Sequence, residues 1–514
     1  MLYFQSRKVQ FYDKQFFLPA FIFFSFFYYY LLYKFSDYAL SPDGIDYLWN
    51  VASLREWNFL DLKFRKPIFY PLVVAMLSFL SPFSIEALAS YISIVSTVAL
   101  LIAIYLWTSE LLEKRFARYI VIGLMFYPWI GRFSFEVLPE PLYLALIVWG
   151  VYWFWKSLHF QSKWYSFLGG FFFSLAYLTR NEGFGYVCFG GVLFAVFAIL
   201  QKRSRAAWIY KGMMYSIPVF LICGGYILYL HHTLEIWTLT PQIGNISIGL
   251  ETGQQVREYQ TKLLNPLGYI ISNFFDLFLK YVHNLFYSFK VIFSEVMYLP
   301  FSFLFYLGLF YAFRAFKNKM DLTFILIMAL PPVFIIPISH VLSRYYISLI
   351  PFLIIFVYLG VIFLFRRRFI YYGIILFSCL LSCRCFYHRY FNLLPIYGVE
   401  YKEAGLWIKD NLPSEAILLT PVRGVDYYGN RNYILIRKSA SKMSDTLPLQ
   451  DIIHFPICQE KPCYLIVQER WKSNTFYFLL EGPSAYAKNL ERVYENNRYP
   501  RAKVVIYKVH PKNT

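Results

Sequence analysis

Pro139-Glu140-Pro141-Leu142-Tyr143-Leu144-Ala145-Leu146-Ile147-Val148-Trp149-Gly150-Val151-Tyr152-Trp153-Phe154-Trp155 decides the architecture. This unbroken apolar run is closed by Lys156 and opened by a carboxylate between two prolines. Its length suits a membrane-crossing helix, about 17–25 residues for a hydrocarbon core of roughly 30 Å. Comparable runs recur at 15–33, 67–81, 86–108, 119–131, 166–178, 185–201, 212–231, 268–292, 297–313, 321–338, 345–365 and 369–385. Composition agrees, because 58% of the 514 residues are hydrophobic, 22% aromatic and only 15% charged. Soluble domains carry about a quarter charged residues. A water-soluble enzyme, a disordered chain, a coiled coil and a disulfide scaffold are thereby excluded.

The 49 Lys and Arg exceed the 30 Asp and Glu, giving a formal charge of +19. That excess sits in short loops: Lys114-Arg115-Arg118, Lys156 with Lys163, Lys202-Arg203-Arg205-Lys211, Arg314-Lys317-Lys319 and Arg366-Arg367-Arg368. Short cytoplasmic loops are enriched in this way, so these segments belong on one side, with Arg7, Lys8 and Lys14. The charge is topological and calls for no nucleic acid. Parity then demands that two runs do not cross. Run 67–81 is short and holds Pro67 and Pro71, and 268–292 holds Asp276, Lys280, His283 and Lys290. Both read as helices lying in the interface. About eleven transmembrane helices remain, and the first run is expected to stay as an anchor.

Segment 34–85, the turns near 132–141, 179–183 and 340–344, and everything after about 385 then collect on the opposite, extracytoplasmic face. The expected organisation is a tag remnant at 1–6, a transmembrane domain at 7–385 with 34–85 as first external loop, and an extracytoplasmic α/β domain at 386–514. In the latter, Glu400–Leu412 reads as an amphipathic helix. Ala416–Thr420, Tyr433–Arg437, Tyr464–Val467 and Lys503–Lys508 read as strands, and Phe476–Asn496 as largely helical. Cys458 and Cys463 can pair if this domain faces an oxidising compartment.

The chemistry-bearing residues lie on the extracytoplasmic face. Pro42 and Gly44 mark a turn that places Asp43 at a helix N-terminus, where a carboxylate can cap or, at the lipid–water boundary, act as a general base. Arg65 and Lys66 offer positive charge to a phosphate oxygen. Glu136 and Glu140, Arg180 and Glu182, and His340, Arg344 and Tyr345 stand at the mouths of later spans. Ionisable groups so placed are functional candidates. No HExxH, GxSxG, Walker A, GxGxxG or Cys/His cluster occurs.

The order Asp43-Gly44-x-x-Tyr47, Lys66-Pro67-Ile68-x-Tyr70-Pro71, Leu138-Pro139-Glu140-Pro141-Leu142, Arg180-Asn181-Glu182-Gly183 and Arg344-Tyr345 resembles the GT-C glycosyltransferases. Within them it is similar to protein O-mannosyltransferases and lipid A aminoarabinose transferases. The resemblance spans the membrane part and reaches Ala404-Gly405-Leu406-Trp407-Ile408 and Asp426-Tyr427-Tyr428-Gly429. It implies an integral-membrane transferase that moves a sugar from a polyprenyl-phosphate donor to a hydroxyl of a glycan, lipid or protein acceptor. It implies inversion, while the sidedness of the basic loops puts the site away from the cytoplasm, and the α/β tail without other secretory-pathway features points to a bacterial inner membrane as setting. Asp43 would be the base; Lys66, Arg344, Tyr345 and Arg65 would meet the donor phosphate. Asp46, Tyr47, Tyr70, Glu140, Arg180 and Glu182 would shape the sugar and acceptor subsites. Many members carry a second acid where this chain has Gly44; Asp46, one helical turn from Asp43, is the candidate replacement. No cofactor is required, and the resemblance leaves room for a divalent metal. A lipid or glycan transporter is the rival class, but candidates gathered at one face rather than at the midplane favour a transferase.

Overall fold

The computed structural model describes most of 19–33, then 39–59, 62, 66–112, 114–160, 162–200, 204–240, 266–315, 319–339, 341–364, 398–420, 424–435, 456–469, 477–480, 489–498 and 502–510. Arg65, His340 and the expected span 369–385 lie outside these residues. The chain divides into two compact units, 1–33 with 49–386, and 34–48 with 387–514.

The first unit is helical. Among the described residues five helices are long and apolar enough to cross a membrane: Ile85–Leu111, Gly183–Leu200, Arg205–Leu234, Lys319–Ile338 and Ser343–Val361. Glu140–His159 and Lys163–Thr179 pack among them. Backbone polar groups have no water to bond inside a bilayer, so the helix satisfies them within each segment. Close approach is set by small residues. A Cβ on Gly308 would lie 1.7 Å from the Phe356 carbonyl oxygen, and one on Gly360 2.0 Å from that of Leu304. Helices Leu299–Ala315 and Ile350–Leu364 therefore touch backbone to backbone.

The run expected as one span at 119–131 is two helices, Lys114–Met125 and Pro128–Phe133, broken where Pro128 offers no amide hydrogen. Phe69–Ser78 has 10 residues, about 15 Å at the helical rise and too short to span. Phe274–Val296 and Leu299–Arg314 meet at 108° around Tyr298, whose φ is +61°. Helices at that angle cannot both follow one membrane normal, so the pair forms a broken span or a re-entrant loop.

The second unit holds a five-stranded sheet in the order β2-β1-β3-β5-β4. Its strands are β1 Ile417–Thr420, β2 Asn432–Leu435, β3 Cys463–Gln468, β4 Leu490–Asn496 and β5 Val504–Val509. β1 is parallel to β2 and β3, and β5 is antiparallel to β3 and β4. Side chains alternate across the sheet. Leu418, Tyr464, Ile466, Val504 and Ile506 pack under Ala404 and Ile408 of helix Val399–Asn411, while Ile417, Leu419, Leu465, Val505 and Tyr507 build a core on the opposite face. Burial on both faces explains the continuous apolar character of β3 and β5.

The expected helix over 476–496 is corrected. Tyr477–Leu480 is a single 3-10 turn, and Leu490–Asn496 is the edge strand β4. A register shift between Arg492 and Tyr494 breaks the in–out alternation that would mark it as a strand. Cys458, on the short helix Pro456–Glu460, is disulfide-bonded to Cys463 at the start of β3.

Candidate active site

Three turns of the first unit bring ionisable side chains together. Glu140 opens its helix between Pro139 and Pro141. Proline suits a first helical turn because those amides have no intrahelical acceptor, and the helix dipole there favours an anion. Arg180 and Glu182 occupy the turn joining Lys163–Thr179 to Gly183–Leu200. Gly183 lets that turn close: a Cβ would lie 2.5 Å from the Tyr177 nitrogen and 2.6 Å from the Ala176 carbonyl carbon. Arg344 and Tyr345 sit on the 3-10 segment Ser343–Leu349.

Glu140 is fully buried, at 0% exposure. Its Oε1 accepts from Nη1 of Arg180 and lies 3.9 Å from Nε of Arg344. Arg180 also grips Glu182, from Nη2 to Oε1 at 3.1 Å and from Nε to Oε2 at 3.3 Å. The planar guanidinium fork makes such a two-pronged bond possible. Tyr345 lies beneath both guanidiniums, 5.1 Å from Arg180 and 5.5 Å from Arg344. Arg180 therefore bridges two carboxylates, and one carboxylate oxygen bridges two arginines. The two positive and two negative charges balance.

Glu136 extends the cluster, with its Oε1 3.3 Å from Nε of Arg132, and it feels both Glu140 and Arg344. Burial pushes its carboxyl above the usual range, against the pull of Arg132. Glu182 moves the other way. Burial alone would raise it, but Arg180, by charge and hydrogen bond, holds it below the usual carboxylate range. Ser93 anchors the loop by donating to the Glu136 carbonyl at 2.8 Å. Tyr70 is buried and donates to the Ala89 carbonyl at 3.2 Å, with Ser93 and Glu140 close by.

A second polar group marks the other end of helix Glu140–His159. Lys156 pairs with Glu110 at 3.0 Å, His159 and the Trp155 indole both reach Asp321, and Lys211 donates to the Ser157 and Phe160 carbonyls. Lys156 and Lys211, grouped by charge in the sequence, therefore share one end, about 25 Å along the helix from Glu140.

Asp43, Asp46 and Tyr47 belong to the second unit. Asp43 lies in the first turn of helix Pro42–Arg55. The hydroxyl that accepts from the Gly44 amide, at 3.1 Å, is that of Ser41. The cap role expected as one option for Asp43 is thus performed by Ser41. The segment is held in its unit by Leu40, whose amide donates to the Tyr428 hydroxyl at 3.0 Å, and by Ala39 against Gly398. Lys66 is described just before helix Phe69–Ser78. The structure thus brings Glu140, Arg180, Glu182, Arg344 and Tyr345 together, with Tyr70 near Glu140. Among the described residues no three His, Cys, Asp or Glu side chains could hold a metal ion.

Sequence reasoning missed the hydroxyls of Tyr143, Tyr186 and Ser348 next to this cluster. Among 47 tyrosines a tyrosine carries no signal; only its spacing from Glu140 or Glu182 could have pointed to it.

No protein-family model matches the sequence, and no curated protein matches it. Solved structures do. The chain resembles ArnT from Cupriavidus metallidurans bound to undecaprenyl phosphate, with TM-score 0.59 and 13% identity over 95% of this chain and 98% of that one. The apo form of the same protein gives 0.58 and 12% over the same shares. The Archaeoglobus fulgidus oligosaccharyltransferase gives 0.48 and 12%, over 93% of this chain and 70% of that one. Over nearly its whole length, the chain has the fold of ArnT.

Proposed function

We propose that this protein is an integral-membrane glycosyltransferase. It moves a sugar from a polyprenyl-phosphate donor to an acceptor hydroxyl on the extracytoplasmic face of a bacterial inner membrane, inverting the anomeric centre. The observation that carries this reading is the pair of guanidiniums, Arg180 and Arg344, held by one buried carboxylate in the fold of a protein crystallised with undecaprenyl phosphate. The disulfide Cys458–Cys463 supports an oxidising compartment for the C-terminal domain.

The chemistry is a single displacement. The acceptor oxygen attacks the anomeric carbon, the bond from that carbon to the phosphate oxygen breaks, and its electron pair leaves with the phosphate. The acceptor proton passes to the Asp43 carboxylate, whose neighbour Asp46 stands one turn away. Charge developing on the phosphate is met by Lys66, Arg344 and Arg65, with Tyr345 supporting the guanidiniums. Tyr47, Tyr70, Glu140, Arg180 and Glu182 shape the pocket for sugar and acceptor.

The test uses purified protein in lipid nanodiscs with polyprenyl-phosphate sugars and glycan, lipid A and peptide acceptors. Asp43→Asn is expected to lower turnover by about 10²–10⁴-fold, the range for a lost general base. Lys66→Ala is expected to raise the KM for the donor. Equal turnover in wild type and Asp43→Asn would remove Asp43 as base. Folded protein that moves labelled donor between leaflets and consumes none of it would replace the transferase by a transporter.

A further inference from the structure

The turn that carries Asp43 is anchored in the C-terminal unit on both of its sides. Leu40, three residues before Asp43, donates its amide to the Tyr428 hydroxyl at 3.0 Å. Ala39 packs against the core formed by Tyr401, Ala404, Ile408 and Val425 on one face of the sheet. It meets Gly398, whose φ is +76° and where a Cβ would lie 2.5 Å from that of Ala39. Glycine serves there both by its left-handed backbone and by its missing side chain. Ile45, two residues after Asp43, is 0% exposed and faces Gly424, where a Cβ would lie 3.9 Å from the Ile45 Cδ1.

Tyr428 itself has little freedom. It is buried on the short helix Val425–Gly429. A Cβ on Gly405 would lie 2.6 Å from that of Tyr428, so helix Val399–Asn411 abuts it directly, and the Lys402 ammonium stands 5.2 Å over its ring. Asp43 is only half-buried, so these anchors flank a carboxylate that stays accessible. A reacting group must be held within about 0.5 Å of its productive place by the residues that support it. For Asp43 the support comes from the backbone on either side.

We propose that Tyr428 is a positioning residue of the transferase. Through the Leu40 amide it fixes the turn that presents the Asp43 carboxylate, which makes the C-terminal domain a working part of the active site. This rests on the reading of Asp43 as base. Tyr428 acts on the backbone of the turn and needs no contact with sugar or phosphate.

Tyr428→Phe keeps the ring and removes the acceptor of the Leu40 amide. In the full-length protein in lipid nanodiscs, with a polyprenyl-phosphate sugar and an acceptor that the wild type uses, kcat is expected to fall about tenfold at unchanged donor KM. That lies within the roughly 10²-fold that a 1 Å misplacement can cost. In an Asp43→Asn background the same substitution is expected to change little, because residues that act as a unit are non-additive. Equal fold losses in the two backgrounds would reduce Tyr428 to a folding role and overturn the proposal, as would unchanged kcat in Tyr428→Phe alone. Full turnover in Asp43→Asn alone is a separate failure, that of the base, and it takes the positioning role with it. Hydrogen exchange reads the anchor without turnover. Amides of 40–46 are expected to exchange severalfold faster in Tyr428→Phe while those of β1 and β3 keep their wild-type rates. Unchanged exchange over 40–46, or equal acceleration across the sheet, overturns the anchor.

Discussion

Replacing Glu140 by Ala removes the carboxylate that joins three segments of the first unit. In its absence Arg180, with 8% of its side chain exposed, keeps its two bonds to Glu182, whereas Arg344, at 36%, can turn to water. Breaking a buried ion pair by removing one partner costs about 3–5 kcal/mol, and the surviving Glu182 contacts place Glu140→Ala near the lower end, about 3 kcal/mol. Arg180→Ala is harsher, because it strips two carboxylates of their shared cation and belongs near about 5 kcal/mol. The double variant orphans fewer charges than the singles combined. A coupling energy of about 2–3 kcal/mol is therefore expected, so that the double variant loses about 5–6 kcal/mol rather than the sum. The assay is unfolding in mixed micelles, followed by tryptophan fluorescence while the denaturing detergent is titrated. Losses in the double variant that equal the sum of the singles within about 0.5 kcal/mol would refute a shared ion cluster.

Further outcomes follow from the same contacts. Gly360→Ala places a methyl group against the Leu304 carbonyl, and overpacking of this kind costs about 1–3 kcal/mol; the same unfolding titration should show it, and Gly191→Ala, where a Cβ meets nothing within 4 Å, should not. Glu136→Gln should raise the melting temperature at neutral pH. Its raised folded-state pKa means that the ionised form is disfavoured by folding, so the penalty grows as pH rises from the unfolded to the folded pKa and the variant's advantage should vanish below the usual carboxylate range. Glu182 has the opposite sign: with its folded pKa lowered, its stabilisation is complete above the unfolded pKa and is lost as pH falls through the folded one, and Glu182→Gln should remove that acid-side loss. Cys458→Ser with Cys463→Ser opens a very short loop and should destabilise the C-terminal unit by about 2 kcal/mol on chain-entropy grounds, read as faster proteolysis of residues 398–510.

Much of the molecule was legible because its strongest signals are local. An apolar run of bilayer length has few options other than a helix, and Pro139 and Pro141 around Glu140, or Gly183 after Glu182, announce where helices begin and turn. Four strands of the C-terminal sheet were readable because β-branched runs bounded by turns suit both-face burial. The fifth was not, since its bulge at Arg492 and Tyr494 breaks the alternation that marks an edge strand. The Asp43 turn was placed correctly at a helix start, but its cap went to Ser41, and adjacent oxygens competing for one amide are beyond sequence patterning.

The sequence by itself determined that the chain is helical and membrane-bound, where its helices start, and which ionisable residues stand at their ends; these properties depend on side chains within a few residues of one another. Tertiary structure alone decided that Arg180 and Arg344 share one oxygen of Glu140, that Gly308 and Gly360 bring two helices into backbone contact, and that three hydroxyls gather beneath the charges. Such meetings depend on the rotation of each helix about its own axis. That rotation is set by packing over the whole bundle, and no single segment encodes it.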